Sequence, residues 1–273
     1  MIPTIGVFDS GFGGLTVLRA LIERLPSARF AFLGDTARLP YGSKSRRTIA
    51  RYAAESAQFL VREQGAEFLV IACNTASALA LDAIQDAVPV PVLGVIEPGA
   101  IAARAASTTG DVLVIATEAT VQSHAYAAAC RARGLRAIEK ACPLLVPLVE
   151  EGWTDHPVTA EVIEIYLNEL RAEAAAAGMN QDALVLGCTH YPLLRPLIER
   201  AVRPGVKVID SAEAAAEQAV EIFNGRVARA AEGASGETEI RCFATDSVEK
   251  FERLGSRFLG RPVGQVELID LGG

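Results

Sequence analysis

The sequence predicts an α/β fold of two similar domains, each with a mostly parallel sheet flanked by helices. Short apolar runs alternate with helical patterns along nearly all of the 273 residues, which is typical of α/β proteins with parallel sheets. An apolar run that ends in a cysteine occurs twice, at Cys73 and at Cys188, and a threonine follows each within two residues. This repeat predicts two like halves with a ligand site in the cleft between them.

The first series of elements follows from the spacing of the apolar residues. Adjacent apolar residues predict strands, and apolar residues three or four positions apart, such as Leu15, Leu18 and Leu21, predict helices. In order, we predict a strand at 4–8, a helix at 15–25, a strand at 30–33, a loop at 36–44, a helix at 45–63, the strand that ends at Cys73, a helix at 76–87 and a strand at 90–96.

The same alternation continues in the second half of the chain. In order, we predict a strand at Asp111–Ala116, a helix that is preceded by Thr120 and Ser123 and ends at about Arg133, a strand at 135–138, a short helix at 142–151, a helix at 159–177, the strand that ends at Cys188 and its helix, a strand at 206–209 and a helix at 212–223. We predict a surface loop at 224–236 and a late strand at 239–243. Residues 246–249 resemble a capping box that would begin the last helix.

Composition argues against several classes of protein. The formal net charge of −7 disfavours direct binding of nucleic acid, which needs a basic face. No run approaches the roughly 20 apolar residues of a membrane helix, and a strand instead of a signal peptide is predicted from Thr4, so we expect a cytoplasmic protein without a membrane partner. The five widely spaced cysteines fit reduced thiols, and the absence of CxxC and HExxH motifs predicts no metal site.

Cys73 and Cys188 are candidate acid–base groups. Each is predicted at the carboxyl end of a strand, where open α/β sheets place their chemistry, and at a helix N-terminus, which favours a thiolate. Two opposed thiols suit inversion at a carbon that bears an acidic hydrogen, because one can remove a proton from one face while the other supplies a proton to the opposite face. Most cysteines are simply buried, which we expect for Cys130 and Cys242 and favour for Cys142.

Each of the other polar residues near these thiols has both a structural and a functional interpretation. Asp9 follows the first strand, where it could form an Asx turn or helix cap, or could pair with an amino group and tune a thiol. His190 lies two positions after Cys188, so a catalytic role competes with that of an ordinary surface histidine. Glu150 and Glu151 are most simply solvated charges at a helix end, although one of them could support an acid–base group.

No cofactor is predicted. Gly11, Gly13 and Gly14 follow a strand as in dinucleotide-binding motifs, with Asp35 in the place of the ribose-binding residue, but Thr16 occupies the position of the third glycine. The backbone N–H groups of this glycine-rich turn could instead hold a carboxylate. None of the four lysines has a context typical of pyridoxal phosphate binding; they are Lys44, Lys140, Lys207 and Lys250.

The chain resembles the glutamate racemases of the aspartate/glutamate racemase family. The resemblance rests on motifs that extend from the N-terminus to about residue 210: GVFDSGFGGL at 6–15, GD at 34–35 with PYG at 40–42, ACNTAS at 72–77, IAT at 115–117 with Thr120, PLVEEG at 147–152 and LGCTHYP at 186–192. It implies cofactor-independent interconversion of L- and D-glutamate, which supplies D-glutamate for bacterial peptidoglycan.

The resemblance also implies roles for particular residues. Cys73 and Cys188 would be the acid–base pair, assisted by Asp9 and His190. The substrate would be held by Asp9, Ser10, Tyr41, Gly42, Asn74, Thr75, Thr117, Thr189 and His190. The implied domains are 1–97 together with 211–273, and 98–210, with the site between them, and the expected assembly is a homodimer.

Three alternatives remain open at this point. Aspartate or another acid could replace glutamate, because the depth of a pocket cannot be predicted from sequence. Inhibition of a DNA topoisomerase, a second role attributed to some relatives, is neither demanded nor excluded by the acidic composition. A redox-sensing dithiol would need the Cα atoms of Cys73 and Cys188 within about 7 Å of each other, and we expect a larger separation.

Overall fold

A computed structural model describes residues 3–231 and 238–272, which contain two parallel sheets. The strands are β1 (Thr4–Asp9), β2 (Arg29–Gly34), β3 (Phe68–Ile71), β4 (Val92–Gly94), β5 (Asp111–Ala116), β6 (Arg136–Ala141), β7 (Ala183–Gly187), β8 (Lys207–Asp210), β9 (Ile240–Ala244) and β10 (Val266–Leu268). No helix within these residues is long and apolar enough to cross a membrane.

The helices alternate with the strands along the chain. They are α1 (Leu15–Arg24), α2 (Arg46–Arg62), α3 (Asn74–Leu79), α4 (Leu81–Ala87), α5 (Ile96–Ala106), α6 (Glu118–Ser123), α7 (Ala125–Arg131), α8 (Leu145–Glu150), α9 (Pro157–Ala176), α10 (Arg195–Ala201), α11 (Ser211–Ala231) and α12 (Val248–Leu259). Short 3₁₀ turns cover Thr36–Arg38, Tyr41–Ser43 and Tyr191–Leu194.

The two sheets repeat one topology, as the fold prediction expected. The first has the order β10-β9-β2-β1-β3-β4 and the second β6-β5-β7-β8, and every strand pair in both is parallel. The segment β2-β1-β3-β4 therefore matches the whole second sheet. Strands β9 and β10 from the C-terminal region extend the first sheet at its edge.

Helices cover both faces of each sheet, which explains why the strands are apolar without alternation. In β1, Val7 belongs to a large core that extends across both halves, whereas Phe8 belongs to a second core on the opposite face. In β5, Leu113 joins the shared core and Val114 a third core, which lies on the opposite face of the second sheet. The shared core joins the two halves into one packed body.

The helix predicted at 76–87 is divided. It begins at Asn74, with Cys73 as its N-cap, and is interrupted at Ala80, where φ is −133°. Ser77 ties the first piece to two strand ends, because its hydroxyl donates to Ile71 O at 2.9 Å and accepts from Val95 N at 3.2 Å. The helix predicted after Ser123 corresponds to α7. The short helix α6 before it was not predicted, and His124, which has a left-handed φ of 55°, separates the two.

Two predictions for the C-terminal third were wrong. The predicted loop at 224–236 is helical as far as residue 231, because α11 continues well past its predicted end; residues 232–237 lie outside the described residues. The predicted capping box does not form. Ser247 adopts a left-handed φ of 53° at the helix N-cap without a capping bond from its side chain, while Asp246 accepts from Ser247 N. Strand β10 was not predicted at all.

Candidate active site

The candidate site lies where both sheets reverse the direction in which successive strands are added. In the first sheet this point is between β1 and β3, and in the second between β5 and β7. Ligands of open α/β sheets bind outside the carboxyl ends of strands at such points. Asp9 ends β1, Cys73 follows β3, Thr117 follows β5 and Cys188 follows β7. All four strand ends therefore supply a candidate residue.

A cavity of about 570 Å³ brings both candidate thiols together. From the first half it is lined by Ser10, Leu39, Pro40, Tyr41, Gly42, Cys73, Asn74, Thr75 and Lys250, and from the second by Thr117, Glu118, Pro143, Val146, Pro147, Glu150, Glu151, Cys188, Thr189 and His190. Of the predicted site residues, only Asp9 lies outside this lining. Lys250, Pro143 and Val146 were missed, because no sequence motif marks them.

Cys73 is held as a thiol. It is 6% exposed, its Sγ accepts from Ala76 N at 3.4 Å, and its S–H donates to Ser10 Oγ at 3.4 Å. Burial and the negative charge of Asp9 raise the pKa of this thiol to about 12, and its hydrogen bonds do not compensate. The predicted helix N-terminus is present, and the backbone bond from Ala76 lowers the pKa of Cys73, but desolvation outweighs this contribution.

Asp9 forms the Asx turn that its sequence context allowed, and its charge also acts on Cys73. One carboxylate oxygen accepts from Gly11 N at 2.9 Å, which is an Asx turn, whereas Oδ1 is buried without a partner. Burial raises the pKa of Asp9, and the nearby charge of His190 opposes this. Gly14 makes this position possible, since a Cβ there would lie 2.5 Å from the Asp9 Cβ.

Cys188 differs from Cys73 in its local structure. The prediction of a second helix N-terminus is wrong here, because Cys188 is followed by Thr189, His190 and a 3₁₀ turn, and α10 begins only at Arg195. Its Sγ lies 4.0 Å from His190 Nδ1, and the Thr189 hydroxyl lies 3.3 Å from the same nitrogen. The histidine, and not a helix, supplies the electrostatic environment of this thiol.

The surroundings of His190 favour its charged form. Its Nε2 lies 3.3 Å from Glu150 Oε1. Burial would lower the pKa of His190, but the hydrogen bonds and negative charges of Cys188 and Glu150 outweigh burial and raise that pKa to about 10. A cation beside Cys188 stabilises negative charge on its sulfur. Glu150 is therefore more than a solvated helix-end charge.

The glycine-rich turn after β1 packs the two halves together. The Thr16 hydroxyl donates to Gly13 O at 3.0 Å and to Thr189 O at 3.1 Å. A Cβ at Gly13 would lie 2.4 Å from Thr189 Oγ1 and 2.6 Å from two atoms of the His190 ring. The glycine at position 13 thus permits close approach of the His190 loop, a reason independent of nucleotide binding.

Polar side chains line the wall between the thiols. The hydroxyls of Thr75, Thr117 and Thr120 form a triangle with distances of 3.0, 3.3 and 2.9 Å, which joins the two halves. Asn74 Oδ1 accepts from Tyr126 at 2.7 Å, but the buried Asn74 Nδ2 has no partner. A buried amide donor without a partner is costly, so it marks a place where a ligand acceptor can bind.

The Tyr41 hydroxyl is not free to bind a ligand. It donates to Asp35 Oδ2 at 2.6 Å, and Thr245 donates to the other oxygen of Asp35 at 3.0 Å. Burial and the charge of Asp35 raise the pKa of Tyr41 far above its usual value. This network positions the turn that presents Tyr41 and Gly42 to the cavity, and it also gives Asp35 a structural role in place of ribose binding.

The remaining cysteines and histidines lie away from the cavity. Cys130, Cys142 and Cys242 are buried, and all five cysteines are free thiols. His124 is paired with Glu139 at the surface. His156 is the N-cap of α9, where its ring accepts from the backbone.

Two like α/β halves share this cavity, and each supplies one thiol to its lining, which is typical of α/β proteins that bind a ligand between two halves. The chain belongs to the Asp/Glu/Hydantoin racemase family, whose model matches residues 5–219. It is therefore an isomerase of the amino-acid racemase class.

Relatives match along almost the whole chain. A glutamate racemase of Koribacter versatilis is 54% identical over 292 residues, covering 99% of this chain and 98% of that protein. One from Syntrophus aciditrophicus is 47% identical, covering 98% and 96%. The crystal structure of glutamate racemase from Francisella tularensis in complex with D-glutamate has a TM-score of 0.87 and 35% identity, and covers 98% of both chains.

Proposed function

We propose that this protein interconverts L- and D-glutamate without a cofactor, by a two-base mechanism in which Cys73 and Cys188 act on opposite faces of the α-carbon. The observation that carries the proposal is that the two thiols, one from each half, line a single cavity. The similarity to glutamate racemases over nearly the full length supports glutamate as the substrate.

The electrostatics suggest which sulfur starts as the base. The Cys73 thiol, with its pKa raised by burial and by Asp9, is the proton donor of the resting enzyme. Cys188 Sγ faces the His190 ring at 4.0 Å, and an imidazolium there would stabilise a negative sulfur, so we propose Cys188 as the starting base. The Cys188 thiolate removes the α-proton and becomes a thiol, the C–H electron pair stays on the substrate, and the Cys73 thiol delivers its proton to the opposite face. The enzyme is left with the two protonation states exchanged, ready for the reverse direction.

The polar wall of the cavity suits the charges of glutamate. The free amide N–H of Asn74 and the hydroxyls of Ser10, Thr75, Thr117 and Thr189 can donate to carboxylates, and fixed donors of this kind stabilise the charge that develops when the α-proton leaves. Gly42 would contribute through the backbone, and so would Tyr41, since its hydroxyl already binds Asp35. Asp9 and His190 would assist the thiols nearest to them.

The proposal extends to the cellular role. We propose a cytoplasmic homodimer that supplies D-glutamate for peptidoglycan, as the likeness to the family implies. We also propose domains 1–97 with 211–273, and 98–210; the order of the strands supports this division, because β1–β4, β9 and β10 form one sheet and β5–β8 the other.

Conversion of both enantiomers, followed by chiral chromatography, tests the function. The purified protein should convert L- and D-glutamate to the same racemic endpoint with no added cofactor, and should act on aspartate far more slowly. Preferred conversion of aspartate would refute the substrate assignment. Cys73→Ala and Cys188→Ala should each abolish racemisation, while Cys130→Ala, at a buried thiol outside the cavity, should remain active.

A further inference from the structure

A lysine from the last helix lies in the wall of the cavity. Lys250 is in the first turn of α12, and its Nζ is 3.5 Å from Glu150 Oε2. The ammonium also lies 5.6 Å from the centre of the Phe12 ring, where the face of an aromatic ring attracts a cation. The two contacts hold the ammonium between the glycine-rich turn and the end of α8.

Glu150 uses one oxygen for each of two partners. Oε1 faces His190 Nε2 at 3.3 Å, and Oε2 faces Lys250. His190 Nδ1 in turn faces Cys188 Sγ at 4.0 Å. Thiol, imidazole, carboxylate and ammonium therefore form one chain. Glu150 is the last residue of α8, so without a partner on Oε2 its side chain could rotate away from His190.

A second contact fixes α12 against the end of α8. Gly152, with a φ of +81°, lies where a Cβ would be 2.6 Å from the Arg257 guanidinium. Arg257 is seven residues after Lys250, so it lies two turns along the same face of the helix. Lys250 and Arg257 thus both meet the segment 150–152, and the ammonium is presented to Glu150 by a packed helix.

We infer that Lys250 is a positioning residue for the proposed racemisation: its ammonium holds the Glu150 carboxylate against His190 and thereby fixes the imidazole that faces Cys188. The inference rests on the proposed function for its effect on turnover, but the geometry of the resting protein can be tested without turnover.

The groups that act on His190 come from four elements. Asp9 faces it from β1, Cys188 from the loop after β7, Glu150 from α8, and Lys250 from α12 through Glu150. The rings of Phe12 and Phe258 enclose it, with centroids 6.2 and 4.9 Å from that of the imidazole. Since Glu150 helps to raise the pKa of His190, that pKa reports on how well the carboxylate is held.

NMR titration of the His190 ring distinguishes positioning from a simple charge effect. The chain has three histidines, so a His190→Asn variant assigns the resonance. If Lys250 positions Glu150, Lys250→Met lowers the pKa of His190, as Glu150→Gln also does, and adds nothing in the Glu150→Gln background. If Lys250 acts only as a nearby positive charge, its removal raises the pKa of His190. A rise, or no change, overturns the inference.

Kinetics supply the second readout. Lys250→Met should reduce kcat by about tenfold, or about 1.4 kcal/mol, with little change in KM, and Lys250→Arg should restore most of it. In the Glu150→Gln background the same substitution should have no further effect, as a double-mutant cycle requires of a residue that acts through another. Positioning is contradicted if Lys250→Met reduces kcat as much in the Glu150→Gln background as in the wild type. It is also contradicted if Lys250→Met raises KM while kcat stays normal.

Lys140→Met is the matched control. Lys140 is also paired with two glutamates, Glu169 at 3.0 Å and Glu173 at 2.9 Å, but it lies outside the cavity. The Lys140→Met variant should retain the wild-type kcat and the wild-type pKa of His190. If the wild-type protein does not racemise glutamate, the proposed function fails, whereas the titration still decides the role of Lys250.

Discussion

The Thr16 hydroxyl donates to the carbonyl oxygen of Thr189 at 3.1 Å, so the turn after β1 and the loop that carries Cys188 are joined across the two halves of the protein. Thr16 is 1% exposed, and water cannot replace it easily. This buried side chain behind the cavity therefore helps to fix the spacing between the halves, together with the contacts of Thr75 with Thr117 and Thr120.

Removal of that hydroxyl should destabilise the protein. Thr16→Val keeps the shape of the side chain but leaves a buried carbonyl oxygen unpaired, which typically costs about 1–3 kcal/mol. We expect a lower free energy of unfolding in urea and a reduced kcat/KM. Thr16→Ser retains the donor and should lie much closer to the wild type. A loss in Thr16→Ser as large as that in Thr16→Val would show that the hydroxyl bond does not account for the effect.

A side chain at Gly13 should disturb the His190 loop. The Gly13→Ala methyl would lie 2.4 Å from Thr189 Oγ1, so the loop would have to move away. We expect kcat/KM to fall by at least about tenfold, which corresponds to about 1.4 kcal/mol, while circular dichroism shows an intact fold. Gly11→Ala in the same turn is the control, because the atoms nearest to its methyl would belong to the flexible Leu39 side chain, at 3.1 Å. A milder effect at Gly13 than at Gly11 would contradict this account.

The charge on His190 should make stability depend on pH. The pKa of His190 is raised from 6.5 to about 10 in the folded state, so its stabilising contribution is fully present below about 6.5 and is lost as pH rises through 10. The difference in unfolding free energy between the wild type and His190→Asn should therefore shrink as pH increases over this window. Each tenfold gain in the proton affinity of the folded state corresponds to about 1.4 kcal/mol. A difference that grows with pH would show that the histidine is neutral when folded.

The negative charge of Asp9 should have a measurable effect on the pKa of Cys73. Because Asp9 contributes to the raised pKa of the Cys73 thiol, Asp9→Asn should lower that pKa, although burial, the larger cause, remains. The rate of alkylation by iodoacetamide as a function of pH measures the change in a background that retains Cys73 and replaces Cys188 with Ala. Asp246→Asn is the control, because Asp246 is exposed and distant in sequence from both Asp9 and Cys73. An unchanged or higher pKa in Asp9→Asn would exclude this coupling.

The strand ends could be predicted from sequence because local pattern determines them. The apolar run before Cys73 is buried on both faces, and the polar residues after it are exposed to the cavity, so the change in composition marks the strand end. Cys188 could be found by the same pattern. The surroundings of the two thiols could not be predicted from this pattern, because the two differ: burial raises the pKa of Cys73, whereas a histidine faces Cys188.

The parts that were missed depend on contacts distant in sequence. Lys250 reaches the cavity only because α12 packs beside α8, and Pro143 and Val146 do so through the fold of the second half. The capping box at 246–249 failed because Ser247 takes a left-handed conformation, and Asp246 is bonded instead to Thr36 of the first half and to Ser247 N. Local sequence contains no sign of these partners.

Proton transfer at the α-carbon tests the central claim most directly. In heavy water, L-glutamate should yield D-glutamate that carries deuterium at the α-carbon while the remaining L-glutamate initially carries none, and the reverse should hold from D-glutamate, because separate thiols serve the two faces. Mass spectrometry at early conversion measures both pools. Equal early labelling of substrate and product would mean that a single base serves both faces, and the pairing of Cys73 with Cys188 would be wrong.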